Sequence, residues 1–424
     1  MRNREAALMR NNRVWVVSGV YYPEDAGAAH FITKVAEGLA SEFSVKVLCG
    51  QPTYSKHETP APSREQHGKV DIIRCPSTTL NRNKLIPRII DLITLSVSIF
   101  VMAIRFFRKN DLVLVATDPP SLPPIVALAC HLRGARYIIR IDDLFPDVMI
   151  AGGLLSRRGA LLRMLSHVTI WSYNKAECII TLGRDMKALV AKRCKHPERV
   201  HIITTWADLD LLSPAPKKNN ALLGELGLID KFVVQWAGNM GYPHEIESIL
   251  NAMIRLKDHP DIHFIFIGYG CKRPWLEART REANLKNATF LGYRSRNEQQ
   301  DFLNACDIAL SSYVKGMTGL GVPSRTYNIM AVGKPILAIG DPDSEVALVI
   351  NEERVGWLVP PNQPDQIVRI ILEARDNPKI LTEMGARARL AAEKRYSFDL
   401  ALNRYLEIFR TRLALRDSRC SHTN

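Results

Sequence analysis

The sequence lacks paired cysteines. Its eight cysteines are scattered and none forms a C-x-x-C pair, so neither a zinc site nor a disulfide framework is indicated. Reduced thiols are expected, as in a cytosolic protein. The first dozen residues have no apolar run of the signal-peptide kind, and residues 1–13 are predicted to be a disordered basic tail. No pattern of an RNA- or DNA-binding module is present, so we expect no nucleic acid partner.

Acidic residues are the scarcer charge. The chain has 57 Lys and Arg against 43 Asp and Glu, a net charge of +14. This excess implies an anionic partner, with phosphate-bearing substrates, lipid headgroups or nucleic acid as the general classes. The length of 424 residues exceeds one typical core and predicts two domains of about 200 residues each.

One stretch, from Gly316 to Gly340, organises the second half of the chain. It reads GMTGLGVPSRTYNIMAVGKPILAIG, which predicts a glycine-rich loop, a helix over 325–332 with Ser324 as its N-cap, and a buried strand. Such a loop binds anions because free backbone amides and the helix dipole converge there, and Arg325 adds a permanent charge. The alternative is an ordinary turn with a solvated arginine.

The same stretch resembles the donor-binding segment of glycosyltransferase family 4, retaining enzymes of the GT-B fold. It is most similar to the subgroup that builds bacterial surface polysaccharides of the colanic acid and O-antigen type, whose loop reads Gly-Leu-x-Val-Pro-Ser-Lys/Arg-x-Tyr. Many members carry two glutamates eight positions apart, where this chain has Leu320 and Asn328. The resemblance implies an α/β chain of two Rossmann-like doubly wound domains facing a cleft, with a nucleoside-diphosphate-sugar as donor.

The first half opens as a doubly wound sheet does. A strand over 14–19, a loop, a helix over 28–43 and a strand over 45–49 follow one another. The loop resembles the family's Pro-Glu-x-Gly-Gly loop at the donor diphosphate and keeps Gly27. Residues 142–147 resemble an Asp-Leu-Trp-Pro element, in which Asp143 would hold acceptor hydroxyls or steady the transition state. The alternative is an aspartate N-cap before a helix-breaking proline.

Two segments of the first half, 82–109 and 154–175, indicate membrane contact. Thirteen uncharged residues run from Leu92 to Ile104, fewer than the ~20 that span a bilayer. Most of the charged residues in both segments are basic, so we predict peripheral binding to an anionic membrane surface. The alternative is a helix packed against the sheet. A cytoplasmic protein, peripheral on the inner face of the cell membrane, is expected.

The second half places three glycine-bearing turns after predicted strands. The family's basic pair in the first turn is replaced here by Asn239 and His244, which leaves Arg325 as the main positive charge toward the donor. The catalytic candidates are Asp143 and Arg325. The predicted donor-binding residues are Gly27, Gly238, Asn239, Gly241, His244, Gly268, Tyr293, Gly319, Leu320, Gly321, Ser324, Arg325, Tyr327 and Asn328.

The predicted boundaries are a first, acceptor-side domain over 14–205, a linker over 206–220, a nucleotide-sugar domain over 221–390, and a helix over 391–424 that returns to the first domain. Two Asp-x-Asp triads, at 208–210 and 341–343, are interpreted as turn and linker acids. No metal and no cofactor besides the sugar nucleotide are expected.

The sequence therefore predicts a retaining, metal-independent glycosyltransferase that moves a sugar onto a polyprenyl-diphosphate-linked acceptor, a lipid-linked saccharide. Two alternatives stay open. One is a non-hydrolysing sugar-nucleotide epimerase, whose clustered acid and base His and Glu residues are absent. The other is a catalytically silent GT-B module that only binds a sugar nucleotide, which the missing glutamate pair favours.

Overall fold

A computed structural model describes residues 13–24, 27–52, 61–80, 85–154 and 159–420. The chain forms two compact units that divide at Thr204 and Thr205. Unit 1 is Met1–Pro146, Arg157–Thr204 and Ala401–Asn424, and unit 2 is Asp147–Ser156 and Thr205–Leu400.

Unit 1 is built on an eight-stranded sheet in the order β3-β4-β2-β1-β5-β6-β7-β8. The edge strand β3 runs antiparallel to β4, and the other neighbours are parallel. Central strand β5 is buried at every position, which explains its continuous apolar run. The strands are β1 Arg13–Val17, β2 Ser44–Cys49, β3 Arg64–His67, β4 Val70–Arg74, β5 Leu112–Ala116, β6 Arg136–Ile141, β7 Cys178–Thr181 and β8 Val200–Ile202.

The helices of unit 1 include the longest apolar helix of the described chain. They are α1 Gly27–Leu39, α2 Leu85–Phe106, α3 Leu122–Arg133, α5 Ala160–Lys175, α6 Arg184–Arg193 and most of α15, Phe398–Cys420. Helix α3 packs against both α2 and α5. Helix α15 packs on α1, where Gly38 leaves room for the Leu402 side chain, and its Phe409 ring lies 6.2 Å from that of Phe43.

Unit 2 is built on a six-stranded sheet in the order β11-β10-β9-β12-β13-β14, and all neighbours are parallel. Helices α8 and α13 pack together over a core that includes Trp236, Phe264 and Phe266. The strands are β9 Phe232–Ala237, β10 Ile262–Ile267, β11 Ala288–Leu291, β12 Ile308–Ser312, β13 Ile336–Ile339 and β14 Gly356–Val359. The helices are α4 Asp147–Ala151, α7 Ala221–Leu226, α8 Glu247–Arg255, α9 Arg273–Glu282, α10 Gln299–Asn304, α11 Arg325–Ala331, α12 Glu345–Glu353, α13 Pro364–Asp376 and α14 Pro378–Arg395.

The predicted linker packs on unit 2. The backbone N–H groups of Ser213 and Ala215 donate to the side chains of Gln300 and Asn304, at 2.9 and 2.8 Å. Polar side chains of α10 thus accept hydrogen bonds from the backbone of this segment, whose Pro and Lys content had predicted only a linker. Residues 1–12 of the tail predicted over 1–13 lie outside the described residues, as do Asp25 and Ala26 of the predicted diphosphate loop, whereas Arg13 is the first residue of β1.

Two predicted elements differ from the structure, and one strand of the structure was not predicted. The first helix ends at Leu39 rather than Phe43. The helix predicted over 391–424 is instead divided between two helices, since α14 ends at Arg395 and α15 begins at Phe398. Strand β3 reads Arg-Glu-Gln-His and has no alternation of apolar and polar residues from which a strand could be predicted. It forms because it pairs with β4.

Candidate active site

The candidate site in unit 2 lies at a reversal of strand order. Strand β9 has β10 on one side and β12 on the other, so successive crossovers leave it in opposite directions. In parallel α/β sheets, ligands bind beyond the carboxyl ends of the strands at such a point. The three glycine-bearing loops predicted from sequence follow β9, β10 and β12, and they meet at this edge.

The first two loops approach each other more closely than side chains would permit. Gly268 has φ of +118°, and a Cβ atom there would lie 2.5 Å from the carbonyl oxygen of Gly238. Gly238 itself has φ of +133°. Both values belong to a region that L side chains rarely adopt. The glycines therefore allow the backbones of the two loops to lie side by side.

The guanidinium of Arg325 lies under these loops. Arg325 is the first residue of α11, and its Cζ lies 4.4 Å from the ring centroid of Trp236. Its Nη2 donates weakly to the carbonyl oxygen of Asn239, at 3.4 Å. A Cβ atom on Gly238 would lie 3.1 Å from Cζ, so the glycine also makes room for the arginine.

Arg325 has no carboxylate partner among the described residues. Its Nη1 is buried and makes no hydrogen bond within that part of the chain, and burial lowers the pKa of Arg325 to about 10. A buried cation without a counter-charge is costly. The arrangement suits an incoming anion that would restore the missing bonds.

His244 points at the same place and is a second hydrogen-bond donor. Its Nδ1 accepts from the backbone N–H of Gly241 at 3.0 Å, so the hydrogen of the neutral ring is on Nε2. That Nε2 lies 3.2 Å from Nη2 of Arg325. Burial and the charge of Arg325 lower the pKa of His244 to about 3, so the ring stays neutral. Two donors facing one point favour an acceptor such as a phosphate oxygen.

Asp341 holds the loop that precedes Arg325. Its Oδ2 accepts from the backbone N–H of Gly316 at 2.7 Å and from Oγ1 of Thr318 at 3.2 Å. The Asp-x-Asp acid at 341 thus fixes the glycine-rich loop. Asp208, from the other triad, accepts from Arg296 at 3.1 Å. The described residues contain no cluster of three or more His, Cys, Asp or Glu side chains able to hold a metal.

Several predicted donor-binding residues have packing roles. Leu320 and Tyr327 are buried, and the Tyr327 ring lies 4.8 Å from that of Tyr396. Asn328 accepts from the backbone N–H of Asp208 at 3.1 Å and donates to Gln299 at 3.3 Å, so its amide is occupied within unit 2. Ser324 has helical φ and ψ and makes no side-chain capping bond, so the predicted N-cap is wrong.

The remaining predictions of unit 2 lie near the loops. Gly319 has φ of +75°, as a tight turn requires, and Gly321 is buried in the same loop. Tyr293 follows β11 and is 53% exposed, which leaves its ring accessible. The structure therefore brings together Gly238, Asn239, Gly241, His244, Gly268 and Arg325 around one point.

Unit 1 contains the other catalytic candidate, Asp143, at the carboxyl end of β6. Its side chain is exposed. Desolvation, followed by the negative charges of Asp142 and Asp118, shifts its pKa upward. Gly27 is the first residue of α1, and nothing lies within 4 Å of where its Cβ would be.

A buried polar cluster beside Asp143 was not predicted. Arg140 is 1% exposed and pairs with Asp142 at 2.8 Å. Tyr405 of α15, also buried, hydrogen-bonds to Arg140. Arg140 stands inside an apolar strand, and only its charge could have marked it in the sequence. The cluster fixes the end of β6 from which Asp143 projects.

Three helices of unit 1 expose apolar side chains. Within α2, Ile86–Phe106 is long and apolar enough to cross a membrane by length and composition, and only 22% of it is buried. The expectation that this segment is too short to span is therefore wrong. Its inner side packs on the unit through Ile99 and Ala103. We call the following exposed residues the apolar face: Ile86, Ile89, Ile90, Ile93, Val97 and Val101 of α2, Leu128 and Leu132 of α3, and Met164, Leu165, Val168 and Trp171 of α5.

Comparisons with known proteins agree with this fold. The family model described as Glycosyltransferase Family 4 matches residues 26–211, and the model described as Glycosyl transferases group 1 matches residues 228–391. WbjE of Pseudomonas aeruginosa, named as a glycosyltransferase, is 28% identical over 95% of this chain and 98% of its own length. WcaI of Escherichia coli, whose name assigns it to colanic acid biosynthesis, is 25% identical over 75% of this chain and 81% of its own.

Among solved structures, HepE of Anabaena in complex with UDP-glucose superposes with a TM-score of 0.71 at 14% identity, covering 94% of this chain and 99% of that chain. Two parallel-sheet Rossmann-like units with these neighbours define a GT-B glycosyltransferase. The chain therefore carries a family 4 glycosyltransferase domain over residues 26–211 and a group 1 glycosyl transferase domain over residues 228–391, and it is a transferase. The predicted family, fold and enzyme class are confirmed.

Proposed function

We propose that the protein transfers a sugar from a nucleoside-diphosphate-sugar and that unit 2 holds the donor by its diphosphate. The observation that carries this proposal is the Arg325 guanidinium, buried at Nη1 without a counter-charge among the described residues. The N–H at Nε2 of His244, next to the Arg325 guanidinium, supports the same proposal because it is a second hydrogen-bond donor for a phosphate oxygen. The structure of HepE contains UDP-glucose, which makes UDP-sugars the first donors to test.

The chemistry explains why a cation is placed here. The bond between the anomeric carbon and the β-phosphate oxygen breaks, and its electron pair leaves with the diphosphate. A new bond forms to the acceptor hydroxyl oxygen, whose proton passes to the departing phosphate. The diphosphate gains charge in the transition state, so donors fixed at its position accelerate the reaction.

Asp143 is proposed to act on the acceptor. Asp143 is exposed at the carboxyl end of β6, and its carboxylate can accept a hydrogen bond from an acceptor hydroxyl. The proposed transfer retains the anomeric configuration, as in the family that the sequence resembles. It needs no metal because Arg325 supplies the positive charge toward the diphosphate.

The acceptor is proposed to be a lipid-linked saccharide in polysaccharide biosynthesis. The relative WcaI is named for colanic acid biosynthesis, and lipid-linked acceptors lie at a membrane. The apolar face of unit 1 exposes Ile86 to 71% and Val97 to 58%, and contiguous exposed apolar surface marks an interaction site. We place the protein on the cytoplasmic side of the cell membrane, peripheral to it.

A donor screen tests this proposal. Purified protein is incubated with individual sugar nucleotides and a lipid-linked acceptor, and released nucleoside diphosphate is measured. One donor should give release that depends on the acceptor, keep its anomeric configuration by NMR, and persist with chelator. Release restored only by one specific divalent ion would contradict the metal-free mechanism. The comparisons do not favour the epimerase or the silent module. Interconversion of free sugar nucleotides in the absence of an acceptor would support the epimerase alternative.

A further inference from the structure

We propose that a cavity at the C-terminal end of α2 binds the phosphate of an anionic lipid headgroup. The inference rests on the proposed membrane contact and adds a specific site to it. The cavity has a volume of about 470 Å³, within the range of small-ligand sites. It belongs entirely to unit 1. It is lined by Arg13, Trp15, Lys46, Arg64, Glu65, Gln66, Asp71, Ile72, Ile73, Arg105, Phe106 and Arg108.

The floor of the cavity is one row of side chains across the sheet. Trp15 pairs with Lys46, Lys46 with Asp71, and Asp71 with Gln66 in the strand register. Residues directly opposite on neighbouring strands point to the same face. Phe106, at the end of α2, stacks beside Trp15 with ring centroids 6.1 Å apart, so the helix end forms a wall above this row.

The cavity has a surplus of positive charge. Its acids are already paired: Asp71 with Lys46 at 3.0 Å, and Glu65 with the buried Arg74 at 2.5 Å. Arg13 pairs with Asp111 at 2.7 Å. The cations left over are Arg64, Arg105 and Arg108, which form no ion pair among the described residues.

Two of these arginines converge on one ring. The Cζ atoms of Arg64 and Arg105 lie 5.8 and 5.9 Å from the centroid of Phe106. Cation–π attraction holds each guanidinium near the ring, although the two charges repel each other. A phosphate between them would accept charge-assisted hydrogen bonds from both and cancel that repulsion.

The position of the cavity selects a lipid as the source of the phosphate. Val97, Val101 and Arg105 lie four residues apart and are all exposed, so they form one stripe along α2. The apolar part of this stripe belongs to the apolar face, and its basic end lines the cavity. If Val97 and Val101 enter the bilayer interface, Arg105 lies about 6 Å further along the helix, at headgroup level.

The test compares two double variants of the full chain. Arg64→Gln/Arg105→Gln removes the two unpaired cations beside the Phe106 ring and leaves Arg108 in place. Arg163→Gln/Lys175→Gln removes two exposed charges of α5 that do not line it. Binding of glycerol phosphate and of inorganic phosphate is measured by calorimetry. Co-sedimentation is measured with phosphatidylcholine vesicles with and without phosphatidylglycerol.

We expect saturable binding of glycerol phosphate by the wild type, weakened at least tenfold by the cavity variant and unchanged in the control. Phosphatidylglycerol-dependent sedimentation should fall in the cavity variant by more than in the control. No saturable binding, or an equal loss in both variants, overturns the site. Loss of soluble binding with wild-type vesicle affinity overturns the lipid assignment. If the protein gave the expected phosphate and vesicle results but bound no sugar nucleotide, only the proposed catalytic function would be contradicted.

Discussion

At the scale of single residues, Arg325 is held at a cost to the unliganded protein. Its contacts are an aromatic ring, a carbonyl oxygen and a neutral histidine, and none of them carries negative charge. A structural arginine would be expected to have a carboxylate, as Arg140 has Asp142 at 2.8 Å. In the proposed function, the donor diphosphate would supply the negative charge that no carboxylate of the described residues supplies to Arg325.

Arg325→Ala should therefore lower turnover at saturating donor by at least about tenfold, since one decade corresponds to about 1.36 kcal/mol. A single hydrogen bond to a charged group is worth about 1.5–3 kcal/mol. Arg325→Lys should recover part of the rate. Lysine keeps the positive charge but loses the planar guanidinium that can donate two parallel hydrogen bonds to a phosphate. Arg281→Ala, an exposed arginine of α9, is the control. A folded Arg325→Ala enzyme with normal turnover would remove this residue from the mechanism.

His244 gives a prediction about pH. Burial and Arg325 lower its pKa from 6.5 to about 3, so below pH 6.5 the unfolded chain binds a proton that the folded chain does not. Stability should therefore fall as pH decreases from 6.5 toward 3, by at most about 1.36 kcal/mol per pH unit from this group. In urea titrations between pH 7.5 and 5, His244→Gln should lose less stability than the wild type. Parallel curves would show that His244 is charged in the folded state.

Sequence alone predicted that Arg325 and the glycine-bearing loops share one site, because the Pro-Ser-Arg pattern follows glycines at fixed spacing, and the structure places them next to one another. It could not show that the side-chain amide of Asn328 is hydrogen-bonded to Asp208 and Gln299, since those partners are distant in sequence. The anchoring of the loop by Asp341 was equally hidden. An aspartate in a turn looks the same whether it binds water or a backbone N–H.

At the scale of elements, helix α2 shows how a buried charge misled the sequence interpretation. The uncharged run begins at Leu92, directly after Asp91, yet the helix begins at Leu85. Asp91 is buried, and its carboxylate accepts from Oγ1 of Thr78 at 2.7 Å and from the N–H of Leu80 at 3.0 Å. These bonds satisfy the charge inside the helix, so the apolar stripe continues on its outer side.

This outer stripe should bind membranes. Val97→Ser/Val101→Ser removes two valines that are 58% and 57% exposed, each worth roughly 1.5 kcal/mol when fully transferred from water. Vesicle affinity should fall about tenfold or more, while the melting temperature stays constant because neither side chain packs in the core. Leu390→Ser/Leu400→Ser, two exposed leucines outside the apolar face, is the control. Equal sedimentation of both variants with anionic vesicles would favour the packed-helix alternative.

At the scale of the whole molecule, the alternation of strands and helices was sufficient to predict two doubly wound sheets. Each sheet orders its strands by crossovers, and those follow from the handedness of parallel connections. The exchange of segments between the units was less visible. Residues 147–156 belong to unit 2, and unit 1 resumes at Ala401. The return of the last helix was expected from the family resemblance alone, because no feature of its own sequence marks the change.

The return of α15 to unit 1 predicts a specific stability effect. Tyr405→Phe removes the hydroxyl that bonds to buried Arg140, which should lower the unfolding free energy of unit 1 by about 1.5–3 kcal/mol. Tyr137→Phe, which loses a bond to the carbonyl oxygen of Ser172, should cost only about 0.5–1.5 kcal/mol. Denaturant unfolding of the full chain measures both. A Tyr405→Phe protein as stable as the wild type would show that the cluster does not depend on α15.

The central claim is that Arg325 holds the diphosphate of the donor. Calorimetric binding of a nucleoside diphosphate and of its monophosphate, UDP and UMP first, to wild type and to Arg325→Ala tests it most directly. The wild type should bind the diphosphate at least tenfold more tightly than the monophosphate, and Arg325→Ala should abolish most of that difference while its affinity for the monophosphate changes little. An unchanged preference for the diphosphate in folded Arg325→Ala would contradict the account.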